Sequence, residues 1–191
     1  MIAAFVEAVR QGYYRKAAAA QTSYRFGQLR AAAASCAVPA GPNPYHNFAH
    51  ACDVTQMVFH LLSEASTSRS TLMASLLTPL HELCLLVAAL CHDLEHPGTS
   101  NAFQANVVSE LAVLYNDQSP LENHHSACGF RILLSEDTNI FKGLSAEQWG
   151  FARKAISHVI LHTDMSKHAA LLHSFQSQFV AAVDADSGML A

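Results

Sequence analysis

Apolar residues recur along this chain at intervals of three and four with polar side chains between them, and no strand-length run alternates singly. A helix turns once every 3.6 residues and a strand repeats every two, so this spacing predicts helices almost throughout. Two Ala-rich stretches, residues 2–20 and 24–34, read as peripheral helices. The segment Val38-Pro39-Ala40-Gly41-Pro42-Asn43-Pro44 then forbids regular helix, because its prolines lack the required N–H and clash with the preceding turn. A helix opening near Tyr45 or His46 runs to about Glu64, and the Ser/Thr-rich stretch from Ser63 to Ser75 reads as a loop. Pro79 starts a helix that is apolar on every side and stops at His92-Asp93, with His96-Pro97-Gly98 as the turn. Asn101 to Leu114 reads as one or two helices. Leu121–Leu134 and Ser145–Thr163 read as two more, the latter opened by Ser145 and Gln148 at capping-box spacing. A last helix spans Ser166 to about Val183. The predicted fold class is all-α.

Composition narrows the function classes. Hydrophobic residues make up 51% of the chain and charged ones 14%, the balance of a folded domain and not of a disordered one. The formal charge of −4 argues against a nucleic-acid partner, which requires a basic surface. The most apolar run, Leu83 to Leu90, is far short of the roughly 20 residues that span a bilayer. Glu7 and the lack of a basic start argue against a signal peptide. The five cysteines, Cys36, Cys52, Cys84, Cys91 and Cys128, contain no C-x-x-C pair and read as reduced thiols in a cytoplasmic setting. Twelve histidines change the picture, since imidazole is the commonest metal ligand and the usual proton shuttle near neutral pH.

For any one histidine, an imidazole satisfied in the core or at the surface is the better reading; His60, His81, His158, His162, His168 and His173 are taken that way. The exceptions cluster where helices end. In YHNFAHACDV, His46 and His50 are four apart and are expected on one helix face, with Asp53 on the same side. In ALCHDLEHPGTSN, the pair His92-Asp93 emerges from a greasy helix with His96 one turn on. An adjacent His and Asp in such a place call for a compensating charge, and a divalent metal accepts imidazole nitrogen and carboxylate oxygen together.

His50 with His92-Asp93 resembles the pattern of HD-type metal-dependent phosphohydrolases. The strings YHNFAHACDV, HDLEHPGTSN, LAVLYNDQSPLENHH and LHTDMSKH, in that order over about Tyr45 to Phe175, resemble class I cyclic nucleotide phosphodiesterases. The resemblance implies hydrolysis of a 3′,5′-cyclic nucleotide, cAMP or cGMP, to the 5′-monophosphate, as used in cyclic nucleotide signalling. It implies two divalent metals, Zn2+ in a tight site and Mg2+ or Mn2+ in a second. His46 then matches the general acid that protonates the departing O3′, and His50, His92 and Asp93 match metal ligands. His96, Glu122 and Thr163 match the shell holding metal-bound waters, and Tyr45, Asn101, Asp164 and Met165 match the pocket. Glu122 is expected to orient His46 or those waters.

Two departures are local: Glu95 stands where most members carry aspartate, and His162 where they carry alanine. The larger one is length, because the family domain continues further and there supplies a last aspartate ligand, a purine-binding glutamine and a clamping phenylalanine. Asp184 and Asp186 sit too early to match that ligand. The chain is therefore expected to be a single, partial catalytic domain (1–38 peripheral, 45–183 carrying the metal site) with weak metal binding and little substrate selectivity on its own. Two further readings stay open: another HD-type nucleotide phosphohydrolase, or an inactive metal-binding or regulatory module. A homodimer is also open, and nothing predicts a membrane segment.

Overall fold

The computed structural model describes residues 1–14, 43–67 and 77–188, which form eight α-helices and, among the described residues, no strand. The all-α expectation holds. The helices are α1 (Ile2–Tyr14), α2 (Phe48–Thr67), α3 (Pro79–Cys91), α4 (Asn101–Asn106), α5 (Glu110–Leu114), α6 (Pro120–Leu133), α7 (Ala146–Leu161) and α8 (His168–Gly188). The second Ala-rich stretch, 24–34, and Cys36 lie outside the described residues, as does most of the proline-rich segment. The chain divides into two units, Met1–Leu161 and His162–Ala191.

In the first unit α3 is the centre, packed against α2, α6 and α7. Its start is doubly specified. Pro79 occupies the first turn, where its missing N–H costs nothing, and Thr78 and His81 form a reciprocal capping box. His81 thus has a structural task, as expected. Cys84, Val87, Ala88 and Cys91 of α3 join Leu133, Ile156 and Ile160 in the core. The Ser145–Gln148 capping box before α7 is present, with Ser145 N donating to Gln148 Oε1 at 2.9 Å and Gln148 N donating to Ser145 Oγ at 3.2 Å.

Helix α1 is more than peripheral. Phe5, Val9, Gly12 and Tyr13 are buried on one face, and that face packs on α2 and α6. Gly12 permits the closest approach: a Cβ there would lie 2.6 Å from Leu94 Cδ2. Leu94 is fully buried and sits between Asp93 and Glu95, so α1 presses directly on the turn that carries the candidate chemistry. Overpacking costs about 1–3 kcal/mol, more than the about 0.5–1 kcal/mol that alanine gains over glycine in a helix. Gly12→Ala is therefore expected to lower the midpoint of chemical denaturation.

In the second unit a 3-10 turn, Met165–Lys167, leads into α8. Asp164 caps that turn by accepting from Ser166 N at 2.9 Å.

Candidate metal centre

Two short segments of the first unit bring the centre together. Before α2, Asn43 Oδ1 accepts from Tyr45 N at 3.1 Å and His46 N at 2.9 Å, and Asn47 Oδ1 accepts from Ala49 N at 3.0 Å and His50 N at 3.2 Å. These asparagine caps delay the helix to Phe48. His46 consequently lies in the bend before α2, and the expectation of one shared helix face for His46 and His50 is corrected. Asp53, expected on the same side, is exposed. Asn43 also donates to His96 O at 3.3 Å, tying this bend to the turn after α3.

That turn delivers His92, Asp93 and His96 as α3 runs out. Asp93 Oδ2 lies 3.1 Å from His92 Nε2 and 3.4 Å from His50 Nε2. One ligand atom from each of His50, His92 and Asp93 falls within 4.8 Å of the others. A tetrahedral ion with ligands at about 2.0–2.2 Å needs ligand atoms about 3.3–3.6 Å apart, so the two Asp93 edges fit a metal with small adjustments. The tautomer fits as well. His92 Nδ1 is 2.7 Å from Ala89 O and donates to it, which leaves Nε2 to face the carboxylate.

The His46 ring stacks on His96, with centroids 3.8 Å apart and planes at 10°. His46, Asp93 and His96 also offer ligand atoms within 4.8 Å of one another. His96 Nδ1, however, accepts from Gly98 N at 2.9 Å, so in the neutral ring Nε2 carries hydrogen and acts as a donor. Tyr45 is exposed and covers His50, ring centroids 4.6 Å apart. Asn101 joins the starts of α4 and α6: its Nδ2 donates to Glu122 Oε2 at 2.8 Å, and its Oδ1 accepts from Leu121 N at 3.0 Å. Thr163, Asp164 and Met165 belong to the second unit.

Charge follows the packing. Burial alone would raise the Asp93 carboxyl, but the His92 hydrogen bond and the neighbouring imidazoles hold it down to about 2. Burial opposes protonation of His92, yet Asp93 overcomes it and raises the His92 pKa. Burial takes His96 down to about 4, with His46 adding to the effect, and lowers His46 itself.

Two residues that contact this site had no role assigned to them from the sequence. His125 is fully buried, donates from Nδ1 to Leu94 O at 2.6 Å and places Nε2 4.0 Å from Asp93 Oδ1. Burial pushes it down to about 3, so it is neutral near pH 7. Its signal was the His124-His125 pair beginning two residues after Glu122. Tyr13 carries no local signal. Its hydroxyl donates to Leu90 O at 3.0 Å and accepts from Asp93 N at 3.3 Å, across some eighty residues of sequence. Tyr13→Phe leaves both backbone groups without this partner. The expected loss is about 1–3 kcal/mol of stability, read by denaturant unfolding, with weaker zinc binding read by calorimetry.

The family model described as "3'5'-cyclic nucleotide phosphodiesterase" matches residues 45–187. The chain belongs to that family. It is 43% identical over 134 residues to the 3',5'-cyclic-nucleotide phosphodiesterase regA of Dictyostelium discoideum, covering 70% of this chain and 16% of that protein. It is 41% identical over 136 residues to the high affinity cGMP-specific 3',5'-cyclic phosphodiesterase 9A of Mus musculus, covering 71% and 24%. It is 40% identical over 148 residues to the 3',5'-cyclic-AMP phosphodiesterase, isoform F, of Drosophila melanogaster, covering 78% and 22%. Among solved structures, the phosphodiesterase domain of the Salpingoeca rosetta rhodopsin phosphodiesterase matches with a TM-score of 0.72 at 33% identity, covering 92% of this chain and 43% of that one. The chain thus spans less than a quarter of the length of these curated relatives. Among the described residues no helix is long and apolar enough to cross a membrane.

Proposed function

We propose that this chain carries the metal-binding part of a catalytic domain that opens a 3′,5′-cyclic nucleotide to its 5′-monophosphate. The observation that carries the reading is the convergence of His50, His92 and Asp93, with the His46 ring beside them, in a chain of this family. His50 Nε2, His92 Nε2 and an Asp93 oxygen would hold the tighter ion, of the zinc class, and Asp93 would be shared with a second, Mg2+ or Mn2+. Bound there, the ions would supply a water of lowered pKa and positive charge against the phosphoryl oxygens.

The chain's own groups supply the rest. His46 is not one of the three proposed ligands of the tighter ion and would deliver a proton to the departing ribose oxygen. His96 Nε2–H would donate to a water in the site. Glu122 would accept from another, its carboxylate steadied by Asn101. Tyr45 would form one wall of the pocket. The relatives' names include both cGMP-specific and cyclic-AMP enzymes, so both nucleotides are proposed as substrates. Free Cys84, Cys91 and Cys128, all buried, are consistent with the reducing cytoplasm we propose as its setting.

The test is an assay of the purified chain with zinc and magnesium against cAMP, cGMP and linear nucleotides. The chain covers 43% of the solved domain it matches, so the expected result is slow formation of 5′-monophosphate from both cyclic substrates, abolished by a chelator. Cleavage of linear nucleotides alone would favour the broader phosphohydrolase reading. Metal uptake with no turnover would favour a binding or regulatory module.

A further inference from the structure

A second cluster of metal-ligating side chains lies in the first unit, and the chemistry proposed above makes no use of it. Glu95, His124 and Cys128 each offer one ligand atom, all within 4.8 Å of one another. His124 and Cys128 are four apart on α6 and share a face, and Glu95 reaches them from the turn after α3. His124 Nε2 lies 3.0 Å from Glu95 Oε2 and 3.5 Å from Cys128 Sγ.

We propose that Glu95, His124 and Cys128 form a separate binding site for a borderline-soft divalent ion of the zinc class. Three observations carry this. First, a tetrahedral zinc with nitrogen and oxygen at about 2.0–2.2 Å and sulfur at about 2.3 Å sets N···O near 3.4 Å and N···S near 3.5 Å. The sulfur edge is already in place, and the oxygen edge needs a few tenths of an ångström. Second, the donor set selects the ion: thiolate and imidazole suit zinc and its neighbours and disfavour magnesium and calcium. Third, there is space beside two of the three donors for a water as fourth ligand. A cavity of about 240 Å3, lined in part by Glu95, Cys128, Arg131 and Thr138 and in part by the apolar Leu94 and Ile132, adjoins the cluster and has room for water. Glu95 also holds a left-handed backbone conformation, φ 59°, which side chains other than glycine seldom adopt and which concentrates at functional positions.

Protons and charge balance. The thiol gives up its proton to solvent as the metal–sulfur bond forms. To bind through Nε2 the His124 ring carries its hydrogen on Nδ1 and binds as the neutral imidazole. Carboxylate and thiolate together neutralise the dication. Arg131 Nη1, 3.5 Å from Cys128 Sγ, remains a donor to the sulfur.

The site is tested without any activity measurement and independently of the function proposed above. The reduced, metal-free chain is titrated with Co2+, because a cobalt–thiolate bond gives an intense near-ultraviolet charge-transfer band that His50, His92 and Asp93 cannot produce. The band is expected to saturate at one thiolate-bound cobalt per chain, to bleach on addition of Zn2+, and to survive in Asp93→Asn. It is expected to vanish in Cys128→Val, whose helical circular dichroism is unchanged. Glu95→Gln, which keeps side-chain size, is expected to weaken binding by about 10–100-fold or more, since loss of even an outer partner costs that much. No charge-transfer band at saturating cobalt, or a band that persists in Cys128→Val, would overturn the proposal.

Discussion

Asp93→Asn is expected to empty the proposed catalytic centre. The substitution keeps shape but removes the carboxylate that His92 and His50 approach at 3.1 and 3.4 Å. Losing an outer-shell partner costs about 10–100-fold in metal affinity, and losing a direct ligand costs more. Zinc bound at this centre, measured by calorimetry, should fall by more than that range, and cyclic nucleotide hydrolysis should fall with it. The metal-free protein carries a second signature. The Asp93 pKa is lowered from its ordinary 3.8 to about 2, so its stabilising share is complete above pH 3.8 and disappears as pH falls toward 2. The His92 pKa is raised above 6.5, so its share is complete below pH 6.5 and disappears as pH rises through the folded value. The stability gap between parent and Asp93→Asn should therefore be widest between about pH 4 and pH 6.5. A gap independent of pH would contradict the ion pair.

His46→Asn should separate chemistry from metal binding. A positioned general acid contributes about 10²–10⁴-fold, and hydrolysis should drop by that amount in a protein carrying a complete catalytic domain of this family. Zinc affinity should hardly change, because His50, His92 and Asp93 come together as a ligand group that does not include His46. Parallel loss of zinc would make His46 a ligand and not an acid.

What could be read from the sequence was what is local. The 3.6-residue period, Pro79 after Thr78, and Ser145 with Gln148 depend on neighbours within a turn, and they placed the starts of α3 and α7 to within a residue or two. Adjacent His92 and Asp93 at the end of an apolar helix pointed to the centre for a similarly local reason: burial without compensation is costly. The start of α2 was misplaced because four backbone N–H groups, those of Tyr45, His46, Ala49 and His50, are satisfied by the side chains of Asn43 and Asn47. Asparagine competes with helix through such bonds, and spacing alone does not weigh that competition. Tyr13 and His125 were missed because each acts through a long-range contact, to Asp93 N and to Leu94 O. Periodicity carries no information about which helix face meets which turn.

The most direct test of the account is a crystal of the chain grown with zinc and measured at the zinc absorption edge. An anomalous peak is expected about 2.0–2.2 Å from His50 Nε2, His92 Nε2 and an Asp93 carboxylate oxygen, with the His46 ring outside the coordination sphere. Zinc-saturated crystals with no peak among these three side chains would contradict it.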